Sequence, residues 1–167
     1  MPTTTIQSDF VCNNGHIAER RRTNNTCCLL SIASSTMRGS VAQWIQELKE
    51  QSNVTCPSCS ERTIISHKFL LPLPFIALDF SSKQIEIDHM FHLSINNEEC
   101  TYRLRGIVYY RDFHFTAHVI PNNGMIWFHD GIATRNMLLY EGTLHNFTDS
   151  LNSCRNKEAI TVIYTKI

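Results

Sequence analysis

Residues 102–130, YRLRGIVYYRDFHFTAHVIPNNGMIWFHD, leave the chain few ways to fold. Three apolar runs rich in β-branched and aromatic residues (102–110, 114–120 and 125–129) are divided by breakers, Arg111–Asp112 and then Pro121–Asn122–Asn123–Gly124. The second breaker is a strong hairpin turn, so the stretch predicts neighbouring antiparallel strands. A hairpin brings the start of its first strand beside the end of its second. His114, which opens one strand, can therefore meet Asp130, which follows the other. A carboxylate that orients an imidazole is half of a nucleophilic triad, in which the histidine activates a Ser or Cys. His118 lies four residues on and shares the strand face of His114, while His129 should point the opposite way. These three histidines could also be surface residues or a second metal site.

The rest of the chain reads as further strands with one helix. Ser40 and Gln43 form a capping-box pair. Val41, Trp44, Ile45 and Leu48 then fall at i, i+3, i+4 and i+7, a buried stripe, with Glu47, Lys49 and Glu50 toward water and an end expected near residues 51–53. Strands are expected at 26–33, 63–71, 75–80, 84–87, 91–95, 137–140 and 159–165. The first nine residues look like a loose terminus, residues 11–16 like a short strand into a turn, and residues 19–25 like a solvated connection. The predicted class is α+β, β-rich, in a single domain of 167 residues.

Composition removes several functions. Fifteen basic residues balance fifteen acidic ones, so no net charge favours nucleic acid or an anionic membrane. Beyond Arg20–Arg21–Arg22 there is no basic stripe, which argues against a nucleic-acid-binding zinc ribbon. The longest apolar run is broken by Pro72 and Pro74 and is too short to span a bilayer. MPTTTIQSDF lacks the features of a signal peptide, so an intracellular, reducing location (cytoplasm or nucleus) is expected. The sequons at Asn24, Asn53 and Asn146 are then incidental. Seven cysteines, an odd number, suit metal binding or catalysis better than a disulfide framework.

Cys56-x-x-Cys59 has the spacing of a zinc-binding turn, and Cys12 with His16 supplies the other two ligands of a structural Zn²⁺ site. His67 is an alternative fourth ligand. A redox role for the CxxC lacks the expected βαβ context. Cys27–Cys28 sits before a poor helix former, LLSIASS, so the pair reads as buried strand residues rather than as a nucleophile at a helix N-terminus.

In this order the pieces resemble the second half of the ubiquitin-specific proteases, the papain-like deubiquitinases, over nearly the whole chain. Cys12/His16 and Cys56/Cys59 resemble the two ligand pairs of that family's zinc-ribbon fingers. LPLPFIALDF is similar to its proline-led strand, and YRLRGIV to its Tyr-x-Leu-x-Gly-(Val/Ile) strand. FHFTAHV is similar to its Gly-His-Tyr-Thr-Ala-Tyr box, WFHDG to its following Trp, Phe and acid, and AITVIYTK to its last strand. The resemblance implies fingers at about 10–70 and a β palm at about 71–167, a partial papain-like fold with a structural zinc. It implies His114 and Asp130 as catalytic positions and ubiquitin or a ubiquitinated protein as partner. Phe113 replaces the family's glycine, Trp127 to Asp130 is one residue tighter, and the first ligand pair is Cys-x3-His. The family's nucleophile box, Gly-Asn-Thr-Cys-Tyr, has no counterpart, so the chain alone is expected to be inactive. Two functions follow: a deubiquitinase domain whose nucleophile is supplied elsewhere, or an inactive ubiquitin-binding or assembly module. Either would leave apolar surface for self-association or a partner.

Overall fold

The computed structural model describes residues 4–25, 29–31, 39–79, 85–147 and 150–167. Two antiparallel systems organise them. The smaller sheet contains β1 (Thr4–Cys12), β2 (Ile17–Asn25), β4 (Lys49–Thr55) and β5 (Arg62–Phe69), ordered β2-β1-β5-β4. The larger contains β3 (Leu29–Ser31), β6 (Phe75–Asp79), β8 (Glu98–Arg111), β9 (His114–Val119), β10 (Met125–His129), β11 (Leu139–Thr143) and β13 (Lys157–Lys166). Its order is β11-β10-β9-β8-β13-β6-β3, with β7 (Met90–Ile95) on β8 and the two-residue β12 (Ser153–Cys154) on β13. Only the pairing of β3 with β6 is parallel among the described sheet pairs.

The fourteen-residue β8 is the spine. β7 pairs with its first half and β9 with its second along one edge, and β13 runs along the other. Its alternation sends Cys100, Tyr102, Leu104, Ile107 and Tyr109 into the core. Three fully buried tyrosines also anchor loops: Tyr102 donates to Leu73 O at 3.1 Å, Tyr164 to Asp88 O at 2.8 Å and Tyr109 to Leu151 O at 3.0 Å. A buried phenol needs such a partner, since an unpaired hydroxyl in the core costs about 1–3 kcal/mol.

Helix α1 (Val41–Glu47) begins at the predicted capping box, with Ser40 Oγ accepting from Gln43 N and Gln43 Oε1 accepting from Ser40 N. Val41, Trp44, Ile45 and Leu48 are all buried, as their spacing requires. The helix is shorter than its pattern suggests. Leu48 takes a left-handed conformation (φ 30°) and the chain turns straight into β4, so Lys49 and Glu50 lie on a strand. The N-terminus also departs from expectation. Residues 4–12 form a strand because Ile6 and Phe10 are buried and Asp9, itself buried, pairs with Arg20 at 2.6 Å. Residues 17–25 form the edge strand β2, whose exposed charges suit a sheet edge that must not recruit another chain. Ile85 and Ile87 are buried, but this segment makes a single bridge, Glu86 to Ser40, rather than a strand. Cys27 and Cys28 lie outside the described residues.

The β8–β9 join is a two-residue turn between paired Arg111 and His114, with Asp112 at φ 52° and Phe113 at φ 60°. Two positive φ values mark a type I′ hairpin, which favours Asp-Gly. Phe113 instead holds a bulky side chain in the left-handed region while 94% exposed, so no burial offsets the strain. Replacing it should relieve that strain. Phe113→Gly is expected to raise stability by about 1 kcal/mol, seen as a rise in Tm of about 2–4 °C by calorimetry.

Candidate functional site

The hairpin places His114 beside Asp130 as the turn chemistry requires. β9 and β10 pair with Ala117 opposite His129 and His118 opposite Phe128, so the start of β9 lies at the end of β10. His114 Nε2 is 2.9 Å from Asp130 Oδ1. The carboxylate is buried and the imidazole is partly open to solvent, its side chain 29% exposed. A carboxylate can only accept, so in the neutral ring Nε2 carries the proton and Nδ1 presents its lone pair outward. No partner meets Nδ1 among the described residues, leaving it available to a reacting group.

A tight turn fixes the acid. Ile132 N and Ala133 N donate to Asp130 Oδ1 at 2.9 and 3.0 Å. Thr134 Oγ1 accepts from Asp130 N at 3.0 Å and donates to Asp130 O at 2.8 Å, so the buried Thr134 closes the turn. The Ala133 amide above all, then the Ile132 amide and His114, hold the Asp130 carboxyl below its ordinary value. Thr134 was not among the residues singled out from sequence. Its signal was the run Asp130-Gly131-Ile132-Ala133-Thr134, a turn-forming Asp with an acceptor hydroxyl four residues on.

The four predicted ligands also converge. Cys12 ends β1, His16 follows its turn, and Cys56 and Cys59 flank the turn between β4 and β5. Their donor atoms lie within 4.8 Å of one another, with Cys59 Sγ 3.6 Å from Cys12 Sγ and His16 Nδ1 3.9 Å from Cys56 Sγ. Tetrahedral Zn²⁺ with sulfur at about 2.3 Å spaces such ligands about 3.5–3.8 Å apart, so the set fits the ion. Burial pushes the Cys12 thiol up. At Cys56 burial acts the same way, but hydrogen bonds from the backbone at Ser58 and Cys59 and from the Cys59 and Cys12 side chains together outweigh it, and the thiol lies below its ordinary value. The backbone at Glu61, then His16, brings Cys59 down. His67 lies outside this cluster, and its Nδ1 meets Ser8 Oγ on β1 at 2.9 Å.

The three β9–β10 histidines separate. His114 and His118 share a face, but His118 is almost wholly buried, 2% exposed, and is not a surface residue. Its Nδ1 meets Tyr109 Oη at 2.9 Å, and its Nε2 lies 2.8 Å from Glu141 Oε2 and 3.7 Å from Cys154 Sγ. Burial holds its imidazole below the ordinary histidine value despite Glu141. His129 lies on the opposite face, half-buried.

No family model and no curated protein sequence matches the chain. Solved structures do. The SAGA DUB module Ubp8/Sgf11/Sus1/Sgf73 bound to monoubiquitin aligns with 99% of this chain at a TM-score of 0.64 and 14% identity. The yeast SAGA DUB module aligns over the same share at 0.65, again with 14% identity, and the module bound to ubiquitin aldehyde at 0.62. The fold is therefore like that of these DUB module structures, and the β-rich class read from the sequence stands. The chain spans about 40% of the length of the chains it matches.

Two outcomes follow from the site. Because the folded Asp130 carboxyl sits below 3.8, its contribution to stability is complete above that pH and is lost as the pH falls through the lowered value. Asp130→Asn should keep the turn yet flatten the fall in Tm between about pH 4 and 2, read by thermal melts across that range. Cys56→Ser combined with Cys59→Ser should remove one zinc per chain by metal analysis and lower Tm; an unchanged metal content would disprove the four-residue site.

Proposed function

We propose that the chain is the His–Asp-bearing, C-terminal portion of a ubiquitin-specific-protease-like domain that hydrolyses isopeptide bonds at the ubiquitin C-terminus, with the nucleophilic cysteine supplied by a segment outside this chain. The observation that carries the reading is the 2.9 Å contact between His114 and the buried Asp130, on a sheet whose fold is like that of the DUB module structures. His114 Nδ1 takes the proton of the incoming thiol as sulfur attacks the isopeptide carbonyl. The resulting imidazolium returns that proton to the departing lysine amine. Water then attacks the thioester with His114 again as base, releasing the ubiquitin carboxylate and restoring the thiol. Asp130 stays ionised throughout. Its lowered value keeps it so at neutral pH, where it holds the ring on Nε2 and stabilises the imidazolium. A zinc at Cys12, His16, Cys56 and Cys59 would be structural, tying together the two turns that carry it.

Ubiquitin, or a ubiquitinated protein, is the proposed partner, and the location is intracellular. Phe113, Phe115, Ile132, Met137 and Leu138 are exposed on β9 and the turns beside His114 and Asp130. This apolar surface supports a second chain, or a second copy of this one, lying against the site.

Phe113 favours a second reading. A bulky, exposed residue stands in a left-handed conformation directly before His114, where a ubiquitin-binding module without activity would tolerate it. The readings part on one pair of measurements. With a nucleophile-box segment joined to the chain, a fluorogenic ubiquitin-tail substrate should turn over, and His114→Ala should cut the rate by about 10²–10⁴-fold. Saturable ubiquitin binding by calorimetry without turnover would select the module, and indifference to ubiquitin in both would reject both readings.

A further inference from the structure

We propose that His118, Glu141 and Cys154 form a second metal site, taking a divalent ion of the zinc class and leaving its fourth coordination position open to a cleft. The site shares no residue with the Cys12/His16/Cys56/Cys59 cluster or with the His114–Asp130 pair, and it does not depend on the protease reading. Its three donors come from β9, β11 and β12, and their ligand atoms lie within 4.8 Å of one another.

The hydrogen-bond inventory around His118 carries the argument. The single hydroxyl proton of Tyr109 goes to Leu151 O at 3.0 Å, so toward His118 Nδ1, at 2.9 Å, the phenol oxygen can only accept. Nδ1 therefore donates to Tyr109, and Nε2 faces Glu141 Oε2 at 2.8 Å and Cys154 Sγ at 3.7 Å. The position on Nε2, between a carboxylate oxygen and a thiol, is one that either a proton or a metal ion can fill, and the three donor atoms converge on it. A ligating histidine whose other nitrogen donates to a fixed acceptor is also the usual outer-shell arrangement of a metal site.

The same contacts exclude a nucleophilic triad. In a triad the acid and the nucleophile occupy opposite ring nitrogens. Here acid and thiol share Nε2, while Nδ1 belongs to Tyr109. Convergence on one point is the geometry of ligation. Glu141 is aimed by its second oxygen, which Arg155 holds at 2.6 Å while the guanidinium stacks 3.7 Å above the Phe128 ring. A carboxylate and a thiolate neutralise a divalent ion, and the half-exposed Arg155 bears on the far oxygen. One nitrogen, one carboxylate oxygen and one thiolate suit Zn²⁺ and exclude Mg²⁺ or Ca²⁺. Tetrahedral zinc spaces such ligands about 3.3–3.6 Å apart, so the nitrogen–sulfur distance already fits. The nitrogen–oxygen distance must open by about half an ångström, which Glu141 on the edge strand β11 can supply. The cleft beside the three ligands, about 540 Å³ and lined also by Phe147, Ser150 and Asn156, gives the fourth position room for water or a small ligand.

Cadmium is the probe. In the full chain loaded with ¹¹³Cd²⁺, two resonances are expected, one at the shift of a three-sulfur site and one at that of a single-sulfur site, with two metals bound per chain. Cys154→Ser should abolish the second resonance, leave the first and bring the stoichiometry to one. A single three-sulfur resonance with one metal per chain would overturn the proposal. Should Cys154→Ser lose its near-ultraviolet circular dichroism, the unsubstituted spectrum decides alone.

Discussion

Everything in the larger sheet depends on the pairing of β8 along both edges. Its first half holds β7 and its second half holds β9, while β13 runs the length of the opposite side. Because strand pairing has a period of two, the register of β8 against β9 decides which β9 side chains face inward. A slip of one residue would turn His114, Thr116 and His118 outward together. The buried tyrosines oppose such a slip, since Tyr102 and Tyr109 are tied on the inner face to Leu73 and Leu151, loop positions far away in sequence.

Depth along β9 separates the chemistry of two histidines on one face. His114 stands at the turn, where water reaches the ring and an acid from the neighbouring strand end meets it. His118, four residues further in, is enclosed by the Tyr109, Phe128 and Phe147 rings and meets Tyr109, Glu141 and Cys154. The first position suits a group that exchanges protons. The second suits one that is held still.

What was legible in the sequence was local. The Ser40–Gln43 box, the Asn123–Gly124 turn, the Cys56–Cys59 spacing and the strand alternation each act within a few residues, and each appears as read. The His114–Asp130 contact was legible because one hairpin joins the two. β2 and all but the end of β1 were missed because polar residues dominate them: the pattern of Gln7, Asp9 and Arg20 to Arg22 looks solvated until the Asp9–Arg20 pair closes across the strands and buries Gln7 and Asp9. The helix was read too long because Leu48 completes its stripe while ending it. Glu141 and Cys154 reach His118 across 23 and 36 residues, and no spacing rule connects such positions.

The smaller sheet has two ends of different character. At its base, Ile6, Leu48 and Phe69 belong to the continuous core that includes Trp44 and the β8 side chains. At its tip, Phe10, Cys12 and Cys56 are buried outside that core, and the thiol–imidazole cluster joins the β1–β2 turn to the β4–β5 turn. An element fastened at both ends by unrelated forces opens from whichever is released first. Stripping metal from the tip would free the amides of Val11 and Cys12 to exchange with solvent within a sheet whose base stays closed. With an ion bound at the cluster, the two turns would form a separately unfolding unit whose opening free energy follows ion concentration rather than the hydrophobic core.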